Sequence, residues 1–169
     1  MKQQYREFLV RDWQPGDRQP VSSLVQTVLA EYGMSFEPDS SDRDAVQIED
    51  AYWNTGGEFW VADYQGTVIG SGGYYPSHRA ANAVELRKMF ILPEFRRQGL
   101  GRFLLSELEQ SAATKGFTEM WLETATVLKE AIGLYERYGY QPSTGVETQR
   151  CDRIYYKFLS QPNDSLKSN

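Results

Sequence analysis

The sequence of 169 residues has little of several things that would point to particular chemistries. It holds one cysteine, Cys151, so no disulfide can form within the chain. It holds one histidine, His78, which excludes the usual zinc sites assembled from several Cys and His ligands, so no metal is expected. Cationic residues are outnumbered, 18 Lys plus Arg against 23 Asp plus Glu, and the net charge of -5 disfavours a nucleic-acid module built to neutralise phosphates. No stretch approaches the roughly 20 apolar residues of a membrane span, and the opening MKQQYREFLV lacks the apolar centre of a signal peptide. The expectation is a cytoplasmic protein with neither nucleic acid nor membrane as partner. A Walker loop is missing, as is any G-x-G-x-x-G ahead of a helix, which counts against nucleoside triphosphates and NAD.

What the chain does have is buriable surface. Hydrophobic residues make up 40% and aromatics 14%, too much for a disordered chain and, at this length, suited to one core. A single domain over residues 1–160 is expected, followed by a polar tail, 161–169, expected to be disordered. Residues 5–11 read as a strand. Val21, Leu24, Val25, Val28, Leu29 and Tyr32 step by threes and fours toward Gly33 and read as an amphipathic helix. A second helix is expected over 42–52, then a hairpin of strands 59–64 and 67–75 turning at Gln65-Gly66, with glycines 70, 72 and 73 suggesting a bulge or a close backbone approach. Strand 83–92 (AVELRKMFIL) stops at Pro93, and Leu100, Phe103, Leu104, Leu108 and Ala112 mark a helix ending at Gly116. Strand 118–124, helix 128–138 and strand 152–159 complete an α/β (mixed α+β) pattern, one mixed sheet with helices on its faces.

The chemistry concentrates between Arg87 and Arg102. Arg87, Lys88, Arg96, Arg97 and Arg102 against Glu94 give this stretch a net +4 in a chain of net -5. Within it Arg96-Arg97-Gln98-Gly99-Leu100-Gly101 lies between a strand and the first turn of a helix, where free amides and the positive helix end make an anion site. Glycines let a phosphate approach those amides, and arginines add charge-assisted hydrogen bonds, so a pyrophosphate would fit. A tight turn with solvated arginines is the plainer alternative from spacing alone.

The run ELRKMFILPEFRRQGLGRFLLSELE closely resembles motif A of the GNAT superfamily of acyl-CoA-dependent N-acetyltransferases, whose [QR]-x-x-G-x-[GA] is met by Arg96, Gly99 and Gly101. Ala131 to Tyr140 (AIGLYERYGY) is similar to that family's A-x-x-L-Y-x-x-x-G-F segment, and strand order agrees from about residue 5 to 159. The resemblance implies a GNAT-like sheet that splays into a V between the fourth and fifth strands, 83–92 and 118–124, with acetyl-CoA as co-substrate in the opening. The backbones of Met89, Phe90 and Ile91 would pair with the pantetheine arm. The amides of Arg97, Gln98, Gly99, Leu100, Gly101 and Arg102, beside Arg96, would hold the pyrophosphate. One departure is visible: Thr126 stands where many relatives carry Asn.

An amine must lose a proton before it attacks a thioester, and an alkylammonium with a pKa near 10.4 rarely does so unaided at neutral pH. The resemblance points to Glu85 as the base, directly or through water; ordering Arg87 is its structural alternative. It also implies that Tyr135 protonates the departing thiolate, against the alternative of one more core aromatic, and that an amide near Phe90 stabilises the oxyanion. Direct transfer in a ternary complex to a primary amine of a small molecule or peptide follows. A non-catalytic acetyl-CoA sensor or interaction module is the competing class. Cys151 reads as an ordinary thiol and His78 as surface. The run from Glu31 to Asp63 carries a net -8; it reads as a solvated face, or as carboxylates that attract a cationic amine. The alternating strand Ile154-Tyr155-Tyr156-Lys157-Phe158 offers an edge at which a homodimer would pair.

Overall fold

The computed structural model describes residues 1–162. Its strands, β1 (Lys2–Tyr5), β2 (Phe8–Asp12), β3 (Glu58–Tyr64), β4 (Thr67–Ser77), β5 (Ala83–Ile91), β6 (Glu119–Thr124), β7 (Gln141–Pro142) and β8 (Arg153–Phe158), form one sheet in the order β1-β2-β3-β4-β5-β6-β8-β7. Only β5 and β6 run parallel. The helices are α1 (Arg18–Glu31), α2 (Arg43–Val46), α3 (Ile48–Ala51), α4 (Leu100–Thr114) and α5 (Lys129–Arg137).

The alternation of β3 builds the two faces. Phe59 and Val61 pack with Val21, Leu24, Val25, Val28 and Leu29 of α1, whereas Trp60 and Ala62 pack with Leu100, Leu104, Leu105 and Leu108 of α4. Each of these buried aliphatic side chains contributes about 2 kcal/mol by leaving water. Gly33, Gly116 and Gly139 follow the three long helices with positive φ, as their positions in the sequence imply.

The structure corrects three boundaries. The expected strand 5–11 is a hairpin: β1 and β2 pair with Tyr5 opposite Phe8, and the chain turns at Arg6, whose φ of 52° is left-handed. The expected helix 42–52 breaks at Gln47 (φ -111°, ψ 60°) into α2 and α3, two single turns too short for any apolar stripe to hold them in line. β8 is not a free edge, since β7 covers it at Tyr155 and Tyr156. Of the tail, Gln161 donates to the Phe117 carbonyl at 3.1 Å, and residues 163–169 lie outside the described residues.

The glycines of β4 mark the feature that opens the site. Ser71 pairs with Phe90 but Gly73 with Arg87, so β5 carries one extra residue there, and Lys88 sits in that bulge at φ 52°. The Ser71 hydroxyl donates to the Lys88 carbonyl at 2.7 Å and holds the bulge in place. A Cβ on Gly72 would lie 3.0 Å from the Met89 sulfur and from Leu108, which accounts for glycine opposite the bulge. Bulges add twist and bend the strand that carries them. Accordingly β5 and β6 pair only at Ala83, Val84 and Glu85 and then part, leaving the outer side of residues 86–91 without a strand.

Candidate functional site

A cleft of about 660 Å³ fills the space between the parted strands. One end is the loop from β5 to α4. Among the described residues no carbonyl accepts a hydrogen bond from the amides of Arg97 through Arg102, although Arg96 and Phe103 on either side are bonded. Arg97 (φ 59°) and Gly99 (φ 83°) are both left-handed, a backbone that turns successive N–H groups toward a common centre at the start of the fifteen-residue α4. Six unclaimed donors at a helix start form a cradle that an anion would fit.

The loop is braced from outside. The Tyr5 hydroxyl donates to the Gln98 carbonyl at 3.1 Å and its ring stacks on Phe103 at 4.5 Å. A Cβ on Gly99 would stand 2.3 Å from that hydroxyl, so glycine is required there by both its φ and its neighbour. Gly101 has more room: its Cβ would meet Ile91 at 3.4 Å and Leu134 at 3.6 Å. Nothing in the sequence signals that Tyr5, 93 residues away, belongs to the loop.

The arginines divide. Arg96 donates from Nε to the Ile91 carbonyl at 2.8 Å and forks onto Glu31 at 2.7 and 2.8 Å, so it ties the loop to β5 and α1 instead of standing free as an anion-binding charge. Arg97 is exposed and 3.4 Å from Glu130, and exposed Arg102 lies over the Tyr138 ring at 4.9 Å. Gln98 and Leu100 belong to the cradle by backbone only, because the Leu100 side chain is in the core.

Along the middle of the cleft run Met89, Phe90 and Ile91 on one wall and Leu134 and Tyr135 on the other. Tyr135 is buried, its ring meets Tyr140 edge-on at 5.6 Å, and its hydroxyl makes no hydrogen bond among the described residues. Burial alone pushes its pKa up and keeps the phenol protonated. Thr126, the departure noted above, turns away: its amide and hydroxyl both donate to Asp152, at 2.7 and 2.8 Å.

At the far end the structure overturns the expectation for two residues of the acidic run, while Glu37, Asp39 and Asp50 are exposed as a solvated face would be. Asp42 and Asp44 are neither a solvated face nor free bait for a cation. Asp42 is fully buried in a fork with Arg150 and 3.0 Å from Lys88; Asp44 lies 3.1 Å from Lys88, 3.2 Å from Arg87 and 2.8 Å from the Tyr52 hydroxyl. Burial opposes ionisation of both, yet Arg150 and Lys88 hold the Asp42 carboxyl below the ordinary range, and Lys88 and Arg87 do the same for Asp44.

Glu85 is buried at the point where the strands part, 3.3 Å from Arg87 and 4.0 Å from Arg79, and is not among the residues lining the cleft. Burial first, then the nearby Glu123 charge, raises its pKa against the pull of Arg87 and Arg79. Glu123 does line the cleft, but Arg79 at 2.7 Å and the amides of Glu147 and Thr148 take up its oxygens. Cys151 lines this end with its thiol pKa pushed up by burial, which keeps it a poor nucleophile. His78 is exposed and 3.0 Å from Glu147. No helix among the described residues is long and apolar enough to cross a membrane.

Comparison with known proteins agrees with the geometry. The Acetyltransferase (GNAT) family matches residues 23–140. A protein named as the uncharacterized N-acetyltransferase YjgM of Escherichia coli is 34% identical over 128 residues, 74% of this chain and 77% of YjgM. In fold, the chain is similar to an acetyltransferase of the GNAT family from Staphylococcus aureus Mu50, with TM-score 0.83 and 19% identity over 90% of this chain and 99% of that one. It is also similar to a phosphinothricin acetyltransferase from Sinorhizobium meliloti solved with acetyl-CoA, with TM-score 0.71 and 22% identity over 90% and 89% of the two chains. An amide cradle, a parted pair of parallel strands and a matching family pattern meet in one molecule, and this chain belongs to the GNAT family of acetyltransferases.

Proposed function

We propose that the chain binds acetyl-CoA in the cleft and passes the acetyl group directly, in a ternary complex, to a primary amine of a small molecule or peptide. The observation that carries this reading is the set of unclaimed amides from Arg97 to Arg102, which fits a pyrophosphate, continuous with the unpaired side of Met89 to Ile91, which fits an amide-bearing arm laid as an extra strand. When bound, acetyl-CoA supplies a thioester carbonyl and a thiolate leaving group.

The chain's residues supply the rest. An amide of β5 near Phe90, held by the bulge, donates to the developing oxyanion without reorganisation. Tyr135 gives its phenolic proton to the departing sulfur; with no hydrogen bond to break among the described residues, it is ready to do so. Glu85 takes the proton lost by the amine. Its raised pKa suits a base, and because it stands behind Arg87 and does not line the cleft, the proton reaches it through water. The free hydroxyl of Tyr135 favours transfer over a sensor, which would have no use for a proton donor there.

Calorimetry with acetyl-CoA, followed by a broad amine screen read by release of free thiol, tests the reading. Micromolar binding and turnover on at least one amine are expected. No binding would refute it, and tight binding with no turnover on any amine would move the chain to the sensor class.

A further inference from the structure

The charged side chains that line the inner end of the cleft are unequal in sign. The guanidinium-bearing Arg87 and Arg150 line it, against Glu123 alone, whose oxygens are already taken, while the buried Lys88 spends its three donors on Asp42, Asp44 and the Ser41 carbonyl. Their counter-ions stand behind them: Asp42 is fully buried, and neither Asp42, Asp44 nor Glu85 lines the cleft. Buried carboxylates thus hold the two guanidinium groups in place without taking all of their donors. A guanidinium has five N–H donors. Arg150 uses three, toward Ser35 and Asp42, which leaves its Nε and one terminal N–H. Arg87 uses three, toward Asp44, Glu85 and the Ser41 carbonyl, which leaves one N–H on each terminal nitrogen.

Resting on the acetyl-transfer reading, we propose that the acceptor is an amine that also bears a carboxylate, and that Arg150 and Arg87 hold that carboxylate at the inner end of the cleft. The chemistry is consistent with what the amine must do. Neighbouring cations disfavour the ammonium form, which must be discharged before attack, while spare guanidinium donors favour a carboxylate through charge-assisted hydrogen bonds. A polyamine would meet two guanidinium groups and no free carboxylate. A free amino acid and a peptide C-terminus both present this same carboxylate to the arginines.

The test compares, with acetyl-CoA and free-thiol detection, a series of amino acids, their carboxamides, the corresponding decarboxylated amines, and dipeptides with free or amidated C-termini. At least one acid should exceed its carboxamide tenfold or more in kcat/KM. A preference confined to dipeptides identifies the peptide source, and one confined to single residues the free amino acid. In Arg150→Gln, and in Arg150→Gln with Asp42→Asn, which keeps the pair neutral should the single variant misfold, the acid-to-amide ratio should fall toward one, mainly through KM. Arg150→Lys should restore part of it. Carboxamides or decarboxylated amines turned over as well as the acids would overturn the inference and leave acetyl transfer standing, as would a ratio unchanged in folded variants. Failure of acetyl-CoA to bind in calorimetry would overturn both.

Discussion

Replacing Gly101 with glutamate should cost acetyl-CoA affinity without costing the fold. A Cβ at this position meets only Ile91 at 3.4 Å and Leu134 at 3.6 Å, ordinary contact distances, and the residue is the second of α4, where a side chain costs nothing in backbone conformation. Alanine there should raise stability by about 0.5 to 1 kcal/mol through helix propensity. A carboxylate and a phosphate about 5 Å apart repel by roughly 1 kcal/mol in water and about 3 kcal/mol at the effective dielectric of a protein surface. A pyrophosphate in the cradle should therefore bind about 5- to 150-fold more weakly to Gly101→Glu, less so as salt is added. Gly101→Gln separates bulk from charge. Gly99 offers no such clean probe, because any side chain there strikes Tyr5 and must adopt a φ of 83°. Calorimetric Kd values for acetyl-CoA at low and high salt, beside thermal melts, decide the matter. A folded Gly101→Glu protein with wild-type affinity would remove the anion from the cradle and the cofactor with it.

Tyr135→Phe should lower kcat by about 10² to 10⁴ while leaving the acetyl-CoA Kd and the melting temperature nearly unchanged, since the hydroxyl bonds to nothing among the described residues; single-turnover kinetics read the step. Because burial raises the Glu85 pKa above 4.5, kcat/KM should fall as pH drops through that raised value, and the acid limb should vanish in Glu85→Gln. Tyr5→Phe removes one hydrogen bond to the cradle, worth about 1 kcal/mol, and should weaken acetyl-CoA about fivefold in calorimetry. Asp42→Asn leaves Arg150 and Lys88 short of a buried partner and should cost about 3 kcal/mol in urea unfolding at pH 7. The Asp42 pKa is lower folded than unfolded, so its contribution is present above pH about 4 and is lost as pH falls through the folded value; the gap between wild type and variant should shrink as pH is lowered below about 4.

Much of the fold was legible because its signals are local. The apolar steps of α1 and α4, the Gln65-Gly66 turn with both φ values positive, and Pro93 ending β5 each depend on neighbours within a few residues. The hairpin of β1 and β2 escaped because its turn uses Arg6 in a left-handed conformation with no glycine to mark it. The Gln47 break escaped because apolar residues on both sides keep a helical spacing through it.

The same division runs through the site. Local sequence determined the cradle, since two glycines and a helix start within six residues leave amides unbonded wherever the chain folds, and it determined the helix that carries Tyr135. Tertiary structure decided which charges remain available. Arg96 is consumed by Glu31, 65 residues away, and Asp42 by Arg150, 108 residues away, while Glu85 is shut behind Arg87. A charge in a sequence has a sign but no partner. Only the packing of distant segments sets which pairs form, because a buried charge is tolerated only where an opposite one meets it, and that pairing turned two carboxylates of an acidic run, Asp42 and Asp44, into the backing of the arginines of the cleft.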